Sequence, residues 1–274
     1  MVTKDQRRRQ LAREKFERQH DRRVQAHRKT VRRNAVVAAV LAVVLAAGAT
    51  AWAAGAFGSD PKKDDAAAAG ASPTPAETSK APDPCAKPAA GSPGTEQWKK
   101  EPAVTVDTAA KYAFALQTTC GDIALDLDAK NAPHTVNSFA FLAGKGYFDH
   151  TKCHRLTTSG IYVLQCGDPT AQGSGGPGYT IPDENLKAKE IAGGTYPAGT
   201  VAMANTGQAH TGGSQFFLVY KDSPLPPNYT PFGTISAAGM KVLDKIAAAG
   251  ESTGAGDGAP NATVVINKAT VAKS

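Results

Sequence analysis

The residues best suited to chemistry lie in one stretch, residues 203–217, which read MANTGQAHTGGSQFF. Two strand-like pieces, residues 200–205 and 215–220, enclose a turn-rich loop that contains several glycines. An asparagine and a glutamine stand at the inner ends of these pieces, next to two adjacent phenylalanines. Amide groups around a small apolar pocket are a common arrangement for binding a peptide or another ligand. The alternative interpretation is a buried hairpin whose amides are satisfied internally.

Three more motifs precede this stretch: HRL at 154–156, LQCGD at 164–168 and DEN at 183–185. In this order and spacing, the motifs and the stretch together resemble the cyclophilin-type peptidyl-prolyl cis-trans isomerases, over roughly residues 109–272. The resemblance implies an enzyme that accelerates rotation about the peptide bond preceding proline.

Rotation about an X–Pro bond needs neither a nucleophile nor a metal, because its barrier of about 18–20 kcal/mol comes from the partial double bond of the amide. A catalyst needs a pocket for the proline ring and a strong donor to the twisted amide. Twisting localises a lone pair on the proline nitrogen, so a guanidinium can bind that nitrogen better in the transition state than in the flat ground state. Arg155 is the candidate donor, and a surface arginine in an ion pair is the alternative.

The resemblance implies roles for further residues. Catalysis would depend on Arg155, Gln165, Asn205 and Gln215, with the two glutamines orienting the arginine and the peptide. The backbone of Ala204 and Asn205 would bond to the substrate chain. The proline pocket would be lined by Tyr162, Val163, Phe217, Leu225 and Tyr229. No cofactor is implied, and no Cys/His spacing matches a zinc site, so no metal is expected.

The sequence also departs from the family pattern. The segment from His154 to Gln165 is two residues longer than the common form, and Val163 stands where methionine is usual. Pro224 stands where many members have tryptophan, and Tyr229 where many have histidine. Losing the indole N–H removes a donor used for cyclosporin, so weak or no cyclosporin binding is expected. These departures keep open a second function, a non-catalytic proline-peptide binding or chaperone module at the cell surface.

The four cysteines are Cys85, Cys120, Cys153 and Cys166. An oxidising compartment would allow them to form disulfides. If Arg155 lies opposite Leu164 on paired strands, Cys153 and Cys166 face each other. Cys85 would then pair with Cys120 and tie the end of a linker to the first hairpin. Free, buried thiols are the alternative.

Charge and hydropathy divide the chain sharply. The first 33 residues carry thirteen Lys/Arg and four Asp/Glu, although the whole chain of 274 residues has a net charge of +7. The remainder is therefore slightly negative and has no electrostatic reason to bind nucleic acid. Residues 35–57 contain no charged side chain and as a helix would span about 34 Å, enough to cross a bilayer. The positive-inside rule then places the N-terminus in the cytoplasm and the rest outside. A cleaved signal peptide is the alternative, but its apolar region is usually about 7–15 residues long.

These features predict a membrane-anchored bacterial protein of four segments: a basic cytoplasmic tail (1–34), a transmembrane helix (35–57), a disordered Pro/Ala-rich linker (58–102) and a folded domain (103–274). In the domain, alternating apolar and polar residues predict many short strands, and residues 133–144 and 238–249 are predicted helices. This composition favours a mainly β, closed antiparallel barrel, and the resemblance implies eight strands capped by two helices. We expect a single-pass membrane protein with a monomeric, extracytoplasmic isomerase domain that acts on proline-containing polypeptides and assists the folding of exported proteins.

Overall fold

The structure, a computed structural model, describes residues 82–273. The predicted basic tail, the predicted transmembrane helix and the first part of the predicted linker lie outside this range. Between residues 82 and 273, no helix is both long and apolar enough to cross a membrane. The described part of the chain is therefore the predicted domain together with the end of the predicted linker.

This part of the chain contains twelve β-strands and two α-helices, with one turn of 3-10 helix at Lys189–Ile191. The strands are β1 (Tyr112–Thr118), β2 (Gly121–Leu127), β3 (Thr151–Lys152), β4 (Arg155–Thr157), β5 (Val163–Cys166), β6 (Thr195–Tyr196), β7 (Thr200–Met203), β8 (Phe216–Val219), β9 (Ser223–Pro224), β10 (Pro231–Ile235), β11 (Asp257–Gly258) and β12 (Val265–Lys273). The helices are α1 (Pro133–Gly144) and α2 (Ala237–Ala248). The fold is mainly β, as the sequence predicted.

The first hairpin shows why this sequence forms strands. In β1 and β2 every second residue is buried, including Phe114, Leu116, Ile123 and Leu125. Successive side chains of a strand point to opposite faces, so this alternation places one face in the core and the other in solvent. Gly121 begins β2 directly after the turn with a φ of +130°, a conformation that residues with a side chain rarely adopt.

Ten of the strands form one antiparallel sheet in the order β11-β4-β5-β8-β7-β10-β2-β1-β12-β3, and β6 pairs separately with β9. The structure thus differs from the predicted closed barrel of eight strands: it is a curled ten-stranded sheet whose edge strands are β11 and β3. The count rises to ten because residues 151–157 form two short strands, β3 and β4, and because β11 joins the sheet. Strand β3 pairs with β12, and β4 pairs with β5 and β11. Strand β3 is at one edge of the sheet, and β4 is next to the edge strand at the opposite end. Only two residues separate β3 from β4, so a short piece of chain connects the two ends of the sheet.

Both helices lie where the sequence predicts them, with α2 one residue earlier at each end. Pro133 is the first residue of α1, where its missing N–H costs nothing. The carboxylate of Glu184 caps this helix from a distant loop, because it accepts the backbone N–H groups of His134 at 3.0 Å and Thr135 at 2.9 Å. The hydroxyl of Ser236 caps α2.

The sheet packs on both faces. The larger cluster lies between the sheet and the helices and includes Leu156, Leu164, Phe216 and Leu218. A smaller cluster on the outer face consists of Val163, Ile191, Tyr196, Ala202, Phe217 and Val219. Neighbouring residues of β5 and β8 alternate between the two clusters, because successive side chains of a strand point in opposite directions. The outer cluster forms the platform of the candidate site.

The N-terminal segment, residues 82–102, makes specific contacts with the domain, although it was predicted to be disordered linker. Cys85 forms a disulfide with Cys120, and the Trp98 backbone N–H donates at 2.8 Å to the carbonyl of Pro177, in the glycine-rich loop of residues 171–179. The Trp98 ring packs edge-on against Phe141, with ring centroids 5.1 Å apart. The folded unit therefore begins inside the predicted linker. The proline content of residues 82–102 disfavours helices and strands there, but it does not prevent these residues from packing against the domain.

Candidate active site

Four side chains lie in one row across neighbouring strands on the outer face. In the pairing register, Arg155 of β4 is opposite Gln165 of β5, Gln165 is opposite Phe217 of β8, and Phe217 is opposite Ala202 of β7. Residues directly opposite in antiparallel strands present their side chains to the same face. The register thus brings together the predicted arginine, one predicted glutamine and the predicted phenylalanine.

A cavity of about 550 Å³ opens over this row. Its lining includes eight of the predicted site residues, Arg155, Val163, Gln165, Ala204, Asn205, Phe217, Leu225 and Tyr229. The rings of Phe217 and Tyr229 stand nearly perpendicular, with centroids 5.5 Å apart. An apolar floor with a few polar groups at the rim is the usual form of a ligand site, and this volume is ample for a proline ring.

Tyr162 is not among the residues that line this cavity, so the structure does not bring it together with the other predicted pocket residues. It directly precedes Val163, and neighbouring residues of an extended chain point to opposite faces. The Tyr162 ring packs against Tyr220 at a centroid distance of 6.0 Å and lies 4.5 Å from the Lys221 ammonium. Ile161, two residues before Val163, lines the cavity instead.

The Arg155 guanidinium is held on two sides. Its Nε and Nη2 donate to the two carboxylate oxygens of Asp257, at 2.8 and 2.7 Å. Its Nη1 donates to Oε1 of Gln165 at 3.2 Å. The hydrogen bond to Asp257 raises the pKa of the guanidinium, although burial acts in the opposite direction. Arg155 is therefore both a cavity residue and a member of an ion pair. From the sequence alone these two roles were alternatives.

The two predicted glutamines belong to one hydrogen-bonded chain. Nε2 of Gln165 donates to Oε1 of Gln215 at 2.9 Å, and Nε2 of Gln215 donates to the carbonyl of Gly175 at 2.9 Å. This chain connects Arg155 to the backbone of the glycine-rich loop. The orientation of the guanidinium thus depends on groups that do not touch it.

The side chain of Asn205 shapes the loop around the cavity. Its Nδ2 donates to the Asn228 carbonyl at 2.9 Å, and its Oδ1 accepts the Gly207 N–H at 2.9 Å. The Ala204 N–H donates to the Gln215 carbonyl at 2.9 Å, so that group already has a partner. The Asn205 side chain thus holds the backbone of residues 204–207 in place as one wall of the cavity. A bound peptide would form its hydrogen bonds with the backbone groups of this wall that have no partner.

A second cavity, of about 890 Å³, shares Gln165, Ala204 and Asn205 with the first. The N-terminal segment forms part of its wall through Gln97, Lys99, Lys100 and Glu101. Residues 173–180 and Pro182, together with residues from the segment between β7 and β8 (204–206, 211 and 213–215), line the rest. Together the two cavities make a site long enough to hold more than one residue of a peptide.

Asp168 and His154 lie near the glycine-rich loop. The pKa of Asp168 stays below its ordinary value despite burial, because its carboxylate accepts N–H groups of Gly175, Thr170 and Gly173. Burial lowers the pKa of His154, and neither of its ring nitrogens has a hydrogen-bond partner among the described residues. Within residues 82–273, no group of three or more His, Cys, Asp or Glu could hold a metal ion.

The disulfide prediction is confirmed in both pairs, Cys85–Cys120 and Cys153–Cys166. The strand register behind it was wrong by one residue, since Arg155 is opposite Gln165. The cysteines still meet, because Cys153 lies between β3 and β4, just before the regular pairing begins.

Asp257 was not anticipated from the sequence. It lies 102 residues after Arg155, in the short strand β11, and residues 249–256 just before it carry no recognisable motif. It reaches the site because β11 pairs with β4, which sets Asp257 opposite Thr157. Only the topology of the sheet reveals this contact.

Residues 113–271 match the family model described as cyclophilin type peptidyl-prolyl cis-trans isomerase/CLD. The match covers more than half of the chain, which therefore belongs to the cyclophilin-type peptidyl-prolyl cis-trans isomerase family. The fold and the row of site residues agree with the resemblance seen in the sequence.

Individual relatives show how far the similarity extends. The chain is 51% identical over 167 residues to the probable peptidyl-prolyl cis-trans isomerase B of Mycobacterium leprae (strain TN), covering 57% of this chain and 56% of that protein. It is 41% identical over 140 residues to a peptidyl-prolyl cis-trans isomerase of Helicobacter pylori (strain ATCC 700392 / 26695), covering 50% of this chain and 82% of that protein. A crystal structure of a Cryptosporidium parvum cyclophilin-type isomerase superposes with a TM-score of 0.50 at 25% identity, covering 60% of this chain and 99% of that one. The chain thus spans only a little over half the length of the mycobacterial relative.

Proposed function

We propose that this protein catalyses cis-trans isomerisation of X–Pro bonds in polypeptides, without a covalent step. The observation that carries the proposal is the Arg155 guanidinium at the rim of a cavity whose apolar floor includes Phe217. A proline ring seated on Phe217 brings its nitrogen near the guanidinium. The nitrogen becomes a good acceptor only as the amide twists, so the donor stabilises the transition state more than the ground state. The isomerase names of the similar proteins support the same activity.

The surrounding residues divide the work of binding and positioning. Val163, Leu225 and Tyr229 surround the ring and exclude water, which strengthens the electrostatic interaction between guanidinium and amide. Gln165 and Gln215 hold the guanidinium in place. The backbone of residues 204 and 205 forms the wall shared by both cavities, where the peptide would bond.

A prolyl-peptide isomerisation assay tests this proposal. The assay should use the full-length chain and a variant that begins at residue 82, so that the Cys85–Cys120 disulfide is retained. We expect both proteins to accelerate isomerisation well beyond the uncatalysed rate. A folded protein that gives no acceleration would contradict the enzyme proposal.

A non-catalytic proline-peptide binding module or chaperone at the cell surface is the second candidate. It is favoured by the Asp257 carboxylate, which occupies donors of Arg155 that could otherwise face a substrate. Titration with a proline peptide separates the candidates. Binding without rate acceleration supports the module, whereas binding with acceleration supports the enzyme.

The proposed location is the cell membrane, with the N-terminus cytoplasmic and the domain outside, where it assists the folding of exported proteins. Support comes from the basic first 33 residues, the uncharged stretch at 35–57 and the two disulfides, which suit an oxidising compartment. Protease added to intact cells should release the domain from the anchor. Spontaneous release of a soluble domain that begins shortly after residue 50 would instead show a cleaved signal peptide.

We also propose a monomer with weak or no cyclosporin binding. Pro224 is exposed in β9 and does not line the proline cavity, so it supplies neither an indole donor nor ring area. A lost hydrogen bond and lost aromatic contact predict an affinity at least about tenfold weaker than in tryptophan-bearing relatives. Titration with cyclosporin and sedimentation analysis test these two points. Equally tight binding, or a stable dimer, would contradict them.

A further inference from the structure

Asp257 uses both of its carboxylate oxygens on Arg155. Oδ1 accepts from Nε at 2.8 Å and Oδ2 accepts from Nη2 at 2.7 Å, the bidentate geometry that fits a guanidinium. Asp257 also lines the proline cavity together with Arg155. The contact joins β4 to a loop that follows α2, far away in the sequence.

The loop that carries Asp257 is tightly organised around Glu251. Oε2 of Glu251 accepts the Thr253 N–H at 2.6 Å, and Oε1 accepts the Gly256 N–H at 2.8 Å. The Thr253 hydroxyl donates to Oε2 of Glu251 at 2.7 Å, and its oxygen lies 3.1 Å from the Asp257 carbonyl oxygen. The pairing of β11 with β4 fixes the other end of the loop. The carboxylate of Asp257 is therefore presented by a rigid element, as a positioning group requires.

A guanidinium carries five N–H bonds. Three of them are used, two by Asp257 and one by Gln165, and these three fix the plane of the group from two directions. The others stay available to a ligand in the cavity. An arginine side chain without partners would lose rotational entropy when it bonds to the transition state. Three existing hydrogen bonds already restrict the Arg155 side chain, so less entropy is lost at that step.

We infer that Asp257 is a positioning residue for the proposed isomerase reaction: it aims the Arg155 guanidinium at the proline nitrogen. The inference rests on the proposed function. Stabilisation of the fold does not explain the pair as well, because 38% of the Arg155 side chain and 55% of the Asp257 side chain are exposed. Exposed ion pairs contribute little to stability.

A double-mutant cycle on the full-length chain tests this inference. We expect Asp257→Ala to lower kcat about tenfold while KM changes less than about twofold, since aim matters in the transition state and the cavity is intact. Asp257→Asn should lie between wild type and alanine, because it keeps one acceptor oxygen. In the Arg155→Ala background, Asp257→Ala should have no further effect, because its target is gone. A merely structural role would lower activity in both backgrounds.

Asp126→Asn is the matched control, since Asp126 is an exposed aspartate on β2 that does not line the cavity. Thermal unfolding and proline-peptide binding of each variant separate misfolding from loss of aim. The inference is overturned if Asp257→Ala keeps kcat within about 1.5-fold of wild type, if kcat rises, or if the loss is equal in both backgrounds. A wild-type protein that binds proline peptides but accelerates nothing would instead refute the proposed function.

Discussion

The side-chain amide of Gln165 donates to Oε1 of Gln215 at 2.9 Å, while its own oxygen accepts from Arg155. A side-chain amide suits this position because it accepts and donates at once. Gln215 then donates to the backbone carbonyl of Gly175, so this series of hydrogen bonds ends on the backbone of the glycine-rich loop. The glycine-rich loop and the arginine are thereby coupled through two side chains.

Gln165→Leu removes both bonds of this link, whereas Gln165→Glu keeps the acceptor for Arg155 but cannot donate to Gln215. Each hydrogen bond contributes about 0.5–1.5 kcal/mol. We expect kcat/KM to fall roughly tenfold or more for the leucine variant and less for the glutamate variant. Gln117→Leu, on the exposed face of β1, is the control. Steady-state kinetics checks this, and a Gln165→Leu enzyme within twofold of wild type would count against the link.

Trp98→Ala tests whether the N-terminal segment is part of the folded unit. The indole contacts Phe141 and Tyr147, with centroid distances of 5.1 and 6.0 Å. Losing these contacts should lower the free energy of unfolding by about 1–3 kcal/mol and expose residues 82–102 to proteolysis. Urea denaturation and limited proteolysis measure both effects, with Val104→Ala at an exposed position as the control. If neither changes, the segment does not belong to the folded unit.

His154 makes stability depend on pH. Burial lowers its folded-state pKa, so the unfolded ring, with a pKa of about 6.5, takes up a proton first. The unfolding free energy should therefore fall as the pH drops below about 7. The contribution of His154 to this fall should end once the pH is below the pKa of His154 in the folded protein. His154→Leu should flatten the curve between pH 7 and 5. Denaturation series of both proteins test this, and identical slopes would exclude His154 as the cause.

Local patterns predicted the parts of the site that depend on strand alternation. Val163, Gln165 and Phe217 face the same side because side chains alternate along a strand and align across paired strands. By the same rule Tyr162, one position before Val163, faces the opposite side, whereas Ile161, two positions before Val163, lines the cavity.

Contacts made by irregular chain could not be predicted from local patterns. Asp257 is a single aspartate in the two-residue strand β11, and only the pairing of β11 with β4 places it on Arg155. Trp98 is one tryptophan in a proline-rich segment, and its partner Phe141 lies on a helix. In both cases the interacting residues are distant in sequence, and no periodic pattern marks them.

Replacement of Arg155 tests whether an aimed guanidinium donor catalyses the isomerisation. Lysine keeps the charge but loses the planar fork that bonds to Asp257 and Gln165. We expect Arg155→Lys to fail almost as badly as Arg155→Ala, with kcat lower by about a hundredfold or more and KM changed less, because an aimed donor in such a site contributes about 2.7–4 kcal/mol. The measurement is kcat and KM for the three proteins, with circular dichroism to confirm folding. A well-folded Arg155→Ala enzyme that keeps more than about half of the wild-type activity would show that Arg155 is not the catalytic donor.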